Sequence, residues 1–181
     1  KLFNINENEK IILFVGLLNM RKGIDIIIKT ANLLKNENVK FILVGDGPER
    51  KKSIDIVKNL KLNGKIVFVG NRLDVHNFYN QADLFFLPSR GEGLAGVLME
   101  AMIYQVPIVT SNIAGTRDLV TNLENGLLCE TENYRCYANS IKRLLSDKDL
   151  QYEFKQKGIE RIKAKFLWES NIKNFERIYL K

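Results

Sequence analysis

Five short apolar runs constrain the fold of this chain more than any other feature. They are Ile11-Ile12-Leu13-Phe14-Val15, Phe41-Ile42-Leu43-Val44, Ile66-Val67-Phe68-Val69, Leu84-Phe85-Phe86-Leu87 and Pro107-Ile108-Val109-Thr110. Each is continuous rather than alternating, the pattern of a strand buried on both faces. Gly16, Gly45, Gly70 and Pro88 close four of them, and polar Thr110 ends the fifth. The gaps between runs carry helical periodicity. Ile24, Ile27, Ile28, Ala31 and Leu34 share one helix face. Pro48 can open a second helix from its first turn, with Ile54, Val57 and Leu60 inward. A shorter segment spans Val75 to Ala82, and Val97, Leu98, Ala101 and Met102 give a further helix its core face. Gly126-Leu127-Leu128 reads as one more short strand, followed by helical segments over 133–145, 148–164 and 168–180. Strand and helix alternate, so right-handed crossovers and a Rossmann-like doubly wound parallel sheet are expected, with about six strands and helices on both faces. No second run of strands follows, which predicts one domain from residue 10 onward. The polar, Asn-rich residues 1–9 read as a linker.

In open sheets of this kind, ligands bind beyond the carboxyl ends of the strands. Those ends are Gly16–Lys22, Gly45–Pro48, Gly70–Arg72, Ser89–Gly96 and Ser111–Thr116, and every Gly-rich loop of the chain falls among them. The richest is Pro88-Ser89-Arg90-Gly91-Glu92-Gly93-Leu94-Ala95-Gly96, which leads into the helix bearing Glu100. Its glycines let backbone approach a ligand closely, and a helix start offers unpaired N–H groups and a favourable dipole to a diphosphate. Glu100, about one turn into the helix, then lies where a ribose would rest, and an ionised carboxylate can accept from both vicinal hydroxyls. Glu92 precedes the turn, placed to reach a donor sugar or to brace the loop. Lys22, with Arg21 beside it, stands at a helix start where the dipole disfavours a cation, which hints at an anionic partner. The plain alternatives are a steric strand-to-helix turn and exposed surface charges.

Composition narrows the classes. The chain has 181 residues and a net charge of +7; residues 1–90 carry 15 basic against 9 acidic side chains, and residues 91–181 carry 13 against 12. That basic excess suits phosphates or an acidic membrane surface, or is simply a Lys-rich solvated face. Zinc-finger spacing and RNP-type aromatic motifs are absent, and Arg50-Lys51-Lys52 is the longest basic run, which argues against nucleic acid. Gly45-Asp46-Gly47-Pro48 lacks the third glycine of a dinucleotide fingerprint, and no Walker lysine follows any loop. No apolar run approaches the about 20 residues of a membrane span. Cys129 and Cys136 have no further ligand to complete a metal site; a reduced intracellular setting is the simple reading, with a disulfide left open. His76, the single histidine, reads as a surface or structural residue, and Trp168 as packing for the last helix. No nucleophile elbow is present.

Several blocks in order resemble the C-terminal, donor-binding half of a GT-B glycosyltransferase, specifically glycosyltransferase family 4. They are Val15-Gly16 with Lys22-Gly23-Ile24-Asp25, Gly45-Asp46-Gly47-Pro48, Val67-Phe68-Val69-Gly70, Ala82-Asp83 through Leu87-Pro88-Ser89, the E-x7-E pair Glu92 and Glu100 with Val106-Pro107-Ile108-Val109, and the tail from Trp168-Glu169 to Tyr179. The resemblance implies retaining transfer of a hexose-type sugar from UDP or GDP to a glycan or lipid-linked acceptor, without a metal or other cofactor. It assigns Lys22 to the charge of the leaving diphosphate and the amides of Leu94, Ala95 and Gly96 to its binding. Glu100 takes the ribose, Glu92 the donor sugar, and the backbone near Asn71 and Arg72 the base, with Arg21, Gly47 and Gly93 in the same donor site. Leu17 stands where many relatives carry arginine, with Arg21 a candidate substitute, and Tyr104-Gln105 replaces the usual small residues before the fifth strand. The acceptor-binding N-terminal domain is not in this chain, so residues 1–181 are expected to bind donor weakly and not to transfer sugar. A cytoplasmic protein, with peripheral association at the inner face of a membrane, is the expected setting. Two alternatives stand beside this reading: a nucleotide-sugar epimerase of similar architecture, and a non-catalytic nucleotide- or carbohydrate-binding module.

Overall fold

Every apolar run becomes a strand in the computed structural model, which describes residues 9–165. The strands are β1 (Lys10–Val15), β2 (Val39–Val44), β3 (Ile66–Gly70), β4 (Leu84–Leu87), β5 (Ile108–Ser111) and β6 (Leu127–Cys129). Between and after them lie α1 (Ile24–Leu33), α2 (Arg50–Asn59), α3 (Val75–Tyr79), α4 (Gly96–Ile103), α5 (Ala114–Arg117), α6 (Tyr134–Ser146) and α7 (Lys148–Lys165). The sheet is parallel throughout, in the order β3-β2-β1-β4-β5-β6. The chain therefore starts at the centre, walks outward to β3, returns through α3 to β4, and walks outward the other way. Right-handed crossovers in opposite directions put α1 and α2 on one face and α4 and α5 on the other.

Strand β4 shows why the runs are continuous. Successive side chains on a strand point to opposite faces. Phe85 packs against Tyr79 (centroids 5.6 Å apart), while Phe86 packs against Phe41 (6.5 Å) and Tyr137 of α6 (5.2 Å). Both phenylalanines are fully buried, and burial of such a side chain contributes roughly 2–3 kcal/mol each. Tyr104, one of the unexpected residues before β5, stacks on Tyr79 at 5.3 Å with the rings 3° from parallel, which gives it a packing role. Helix α1 packs on α6, and α7 lies against α4 and α6. Gly158 faces Met102 across the α7–α4 contact, where a Cβ would make ordinary van der Waals contact at 3.4 Å.

Four local expectations change. Pro48 lies in a turn two residues before α2 rather than inside its first turn, because Gly47 and Pro48 bend beneath the β1–α1 loop before the helix begins at Arg50. Leu60 is exposed and caps the end of α2; the inward positions are Ser53 and Val57, and Leu62 beyond the helix supplies the next buried contact. The rim segment after β5 is not simply a loop, since α5 forms one helical turn there. Cys129 and Cys136 are joined in a disulfide, so the reduced pair is not the form seen. Glu9, assigned to the linker, pairs with the buried Lys40 at 3.1 Å. The helix expected over 168–180, with Trp168, and most of the 1–9 linker lie outside the described residues.

Candidate functional site

The β1–α1 and β4–α4 loops meet at the carboxyl rim of the sheet, and their meeting is chemical as well as spatial. Lys22 Nζ stands 2.8 and 2.9 Å from the two carboxylate oxygens of Glu92. Ser89 Oγ donates to Glu92 Oε1 at 2.6 Å. The Glu92 side chain is only 6% exposed and Lys22 22%, so the pair is shielded but open on the lysine side. Asn19 Oδ1 accepts from the Lys22 amide at 2.8 Å and fixes the turn that presents the lysine. The two residues assigned separately by sequence, one to phosphate and one to sugar, are therefore mutual partners in this structure.

Backbone geometry explains how the loops come so close. Gly23 has φ 74°, and a Cβ there would fall 2.1 Å from the Pro88 carbonyl oxygen. Gly115, in α5, is packed under the Glu92-Gly93 peptide, where a Cβ would lie 1.9 Å from the Gly93 oxygen. Arg21 Nε donates to the Gly91 carbonyl at 2.8 Å, and the Arg90 amide donates back to the Arg21 carbonyl at 2.7 Å. Gly47 serves packing of the same kind: its Cβ would stand 2.5 Å from the Leu18 carbonyl oxygen.

Gly93 and Gly96 differ from these. An added Cβ at either would meet nothing within 4 Å, and neither has a left-handed φ. Ala95 at the N-cap of α4 offers no capping side chain. The Gly96 amide donates to Leu94 O at 3.0 Å, whereas the amides of Leu94 and Ala95 have no acceptor among the described residues. Glu100 is exposed, one turn along α4, beside the Tyr79 hydroxyl. Burial, then the neighbouring Glu100 carboxylate, push the Tyr79 phenol far above its ordinary range; its hydroxyl donates to Val97 O at 3.2 Å.

Asn71 and Arg72 are exposed at the end of β3. The Arg72 guanidinium is engaged by Asp74 at 2.8 and 2.9 Å and lies over the Phe78 ring, so its charge is internally matched. The hydrogen bond from Arg72 holds the Asp74 carboxyl well below the usual range. Leu17 is exposed at the mouth of the β1–α1 loop. His76 is exposed on α3, away from any acid–base pairing shown.

Sequence reasoning missed Arg90, Asp25 and Gly115. Arg90 binds both Asp25 oxygens at 2.8 Å and the Met20 carbonyl, locking the β4–α4 loop to α1. Burial alone would raise Asp25, but the hydrogen bonds and charge of Arg90 hold its carboxyl below the ordinary value. A charged residue beside a motif gives no sign of its partner until the fold brings one. Among the described residues, no group of three or more His, Cys, Asp or Glu side chains is arranged to hold a metal ion. No described helix is long and apolar enough to cross a membrane.

Residues 1–161 match the family model described as glycosyl transferases group 1. Among curated relatives, the chain is 29% identical over 180 residues to the N-acetyl-alpha-D-glucosaminyl L-malate synthase of Bacillus anthracis, covering 99% of this chain and 47% of that protein. It is 32% identical over 173 residues to the capsular polysaccharide biosynthesis glycosyltransferase CapM of Staphylococcus aureus, covering 91% and 45%. The chain thus spans about half the length of the curated relatives it matches. Among solved structures, a mutant of S. aureus TarM, in complex with fondaparinux, α-GlcNAc-glycerol and UDP, superposes with a TM-score of 0.87 at 26% identity, covering 100% of this chain and 38% of that one. The sheet order and the helices on both faces are those of the C-terminal half of GT-B glycosyltransferases. The chain belongs to the group 1 glycosyl transferases.

Proposed function

We propose that this chain is the donor-binding half of a retaining family 4 glycosyltransferase, which moves a hexose-type sugar from a UDP- or GDP-sugar to a glycan or lipid-linked acceptor. One observation carries the reading. The free amides of Leu94 and Ala95, the open space at Gly93 and Gly96, and the Lys22–Glu92 pair all converge on one rim. Glycines that the protein's own packing does not require leave room for close approach of a ligand, and free amides at a helix start suit a diphosphate. TarM, at 26% identity, was solved with UDP, which favours the uridine arm.

In this reading the diphosphate sits on the Leu94 and Ala95 amides, joined by Gly96 once its turn opens. Lys22 swings between two anions: it rests on Glu92 in the free protein and turns part of its ammonium toward the β-phosphate when donor binds. The departing diphosphate gains negative charge as the glycosidic bond breaks, and a nearby ammonium in a sheltered site stabilises that charge more than it does the ground state. Glu92, relieved of part of its partner, accepts from a donor-sugar hydroxyl, with Ser89 holding its other face. Glu100 takes the ribose hydroxyls, the backbone at Asn71 and Arg72 borders the base, and Arg21, fixed on Gly91, adds positive potential where Leu17 cannot. No metal or other cofactor is required by these groups. Acceptor binding belongs to an N-terminal domain preceding a linker at residues 1–9, and the whole protein works at the inner, cytoplasmic face of a membrane.

Calorimetric titration with UDP and GDP tests the site. Wild type is expected to bind one of them, and Glu100→Ala to weaken it by roughly 10- to 100-fold, the scale of charge-assisted hydrogen bonds lost to a ligand. Unchanged affinity in Glu100→Ala refutes the ribose assignment. A non-catalytic module would bind without any transfer by the full-length protein.

A further inference from the structure

We infer that Arg90 is the positioning residue of this site and that the disulfide-closed loop from Cys129 to Cys136 governs it, so that donor binding follows the redox state of that disulfide. The inference rests on the donor-site reading above.

Arg90 joins three chain segments. Its Nη1 and Nη2 hold Asp25 at 2.8 Å each, and Nη1 also reaches the Met20 carbonyl, both on the side of the β1–α1 loop that supplies Lys22. Its own backbone leads through Gly91 into Glu92. Its Nε donates to Glu132 Oε1 at 2.6 Å, and Glu132 lies in the connection between β6 and α6. The guanidinium thus fixes the two loops whose tips form the Lys22–Glu92 pair, and its third anchor comes from elsewhere.

That third anchor is held in an unusual way. Glu132 has φ 65°, a left-handed conformation that residues other than glycine adopt rarely and at a cost. Three features impose it. Cys129 and Cys136 are bonded across the loop. Asn133 Oδ1 accepts from the Cys136 amide at 3.0 Å, while the Asn133 amide donates to Glu130 O at 3.1 Å. Asn112 Nδ2 donates to Glu130 Oε1 at 2.6 Å and ties the loop to β5. An ion pair as exposed as Arg90–Glu132, whose carboxylate side chain is 52% exposed, adds little to stability. Its effect is to set where Arg90 points.

Cys136 is half-buried, whereas Cys129 is buried. A dithiol reductant provides the chemistry. Its thiolate attacks Cys136 Sγ, the Cys129 thiolate leaves and takes up a proton, and the second thiol of the reductant displaces Cys136 as the reductant closes to its own disulfide. Two electrons pass to the protein. With the cross-link gone, Glu132 leaves the left-handed region and Arg90 loses its third anchor. By linkage, a nucleotide that prefers the oxidised form makes the disulfide harder to reduce by the same factor.

The test titrates UDP and GDP into the full-length protein, oxidised and dithiothreitol-reduced, as wild type and as Glu132→Ala, which has no side-chain acceptor for Arg90. Hydrogen exchange is read at the amides of residues 89–96 and thermal midpoints are recorded. Reduction should weaken nucleotide binding by roughly fivefold in wild type, the scale of coupling between linked positions, and speed exchange over 89–96. In Glu132→Ala, reduction should lower the thermal midpoint as before yet leave affinity and exchange unchanged. Equal sensitivity in both proteins, or none in wild type, overturns the inference. If neither nucleotide binds in either state, the donor reading fails, and the exchange comparison alone then decides the coupling.

Discussion

At the scale of single residues, glycines separate what the fold needs from what a ligand needs. Gly115→Ala puts a Cβ 1.9 Å from the Gly93 oxygen, a backbone atom that cannot yield without moving the loop. A loss of about 2 kcal/mol is expected, in the range of overpacked sites, together with loss of UDP binding. Urea unfolding and titration check both. Gly96→Ala has open space and an ordinary φ, so stability should hold or rise by about 0.5–1 kcal/mol, the helix preference of alanine over glycine. Its nucleotide affinity should nevertheless fall. A Gly96→Ala protein that is stable and binds as well as wild type would remove the close-approach argument. Asp25 makes a prediction in pH. Its folded carboxyl is held below the ordinary aspartate range, so its pairing with Arg90 stabilises the fold above the unfolded titration range and is lost as pH falls through the lower folded one. The stability gap between wild type and Asp25→Asn should therefore be open at neutral pH and close under strong acid, measured by urea midpoints across that range.

At the scale of elements, the disulfide joins the end of β6 to the first turn of α6 and closes a short loop. Reduction should cost about 2 kcal/mol on chain-entropy grounds, visible as a lower thermal midpoint recovered on reoxidation. How far the elements could be read from sequence depended on what each signal measures. A run such as Leu84–Leu87 is buried on both faces and fully apolar, so its strand was plain, and the Gly or Pro after each run located the rim. Helix α2 was harder. Leu60 completes an apolar spacing with Val57, yet the helix ends at Asn59 and Leu62 turns inward instead, because the chain leaves the helical path at Lys61, where φ is 56°. Helix α5 is a single turn, too short for periodicity to show. Within the site, Lys22, Glu92 and the glycine loop could be found because they stand at strand ends in recognisable blocks. The Lys22–Glu92 contact, the Arg90–Asp25 clamp and the fit of Gly115 under Gly93 could not. Each joins residues at least 22 positions apart, and the local pattern at either end is that of an ordinary polar loop.

At the scale of the whole molecule, the proposed function makes predictions through net charge and through the share of its relatives' length that the chain spans. A net charge of +7, concentrated in the half that precedes Glu92, should bind anionic lipid. Vesicles rich in acidic lipid are expected to retain the full-length protein at low salt and release it as ionic strength rises and the Debye length shrinks; failure to bind at low salt would remove membrane association from the proposal. The last prediction concerns the proposed donor site itself. The sheet rim with Lys22, Glu92 and the α4 start offers one wall for a donor, and the exposed Leu17, Met20 and Leu94 on the same loops leave that wall open to solvent. An open wall leaves the diphosphate hydrated, and a hydrated ammonium stabilises developing charge far less than an enclosed one. It also holds no acceptor at attack distance, which forgoes the effective concentration that orientation provides. Residues 1–181 should therefore fold and bind nucleotide weakly, while sugar transfer stays at background until an acceptor-binding domain is supplied. A radiolabelled-donor assay comparing this chain with the full-length protein decides it: steady transferase turnover by residues 1–181 alone would show that this wall is already a complete active site.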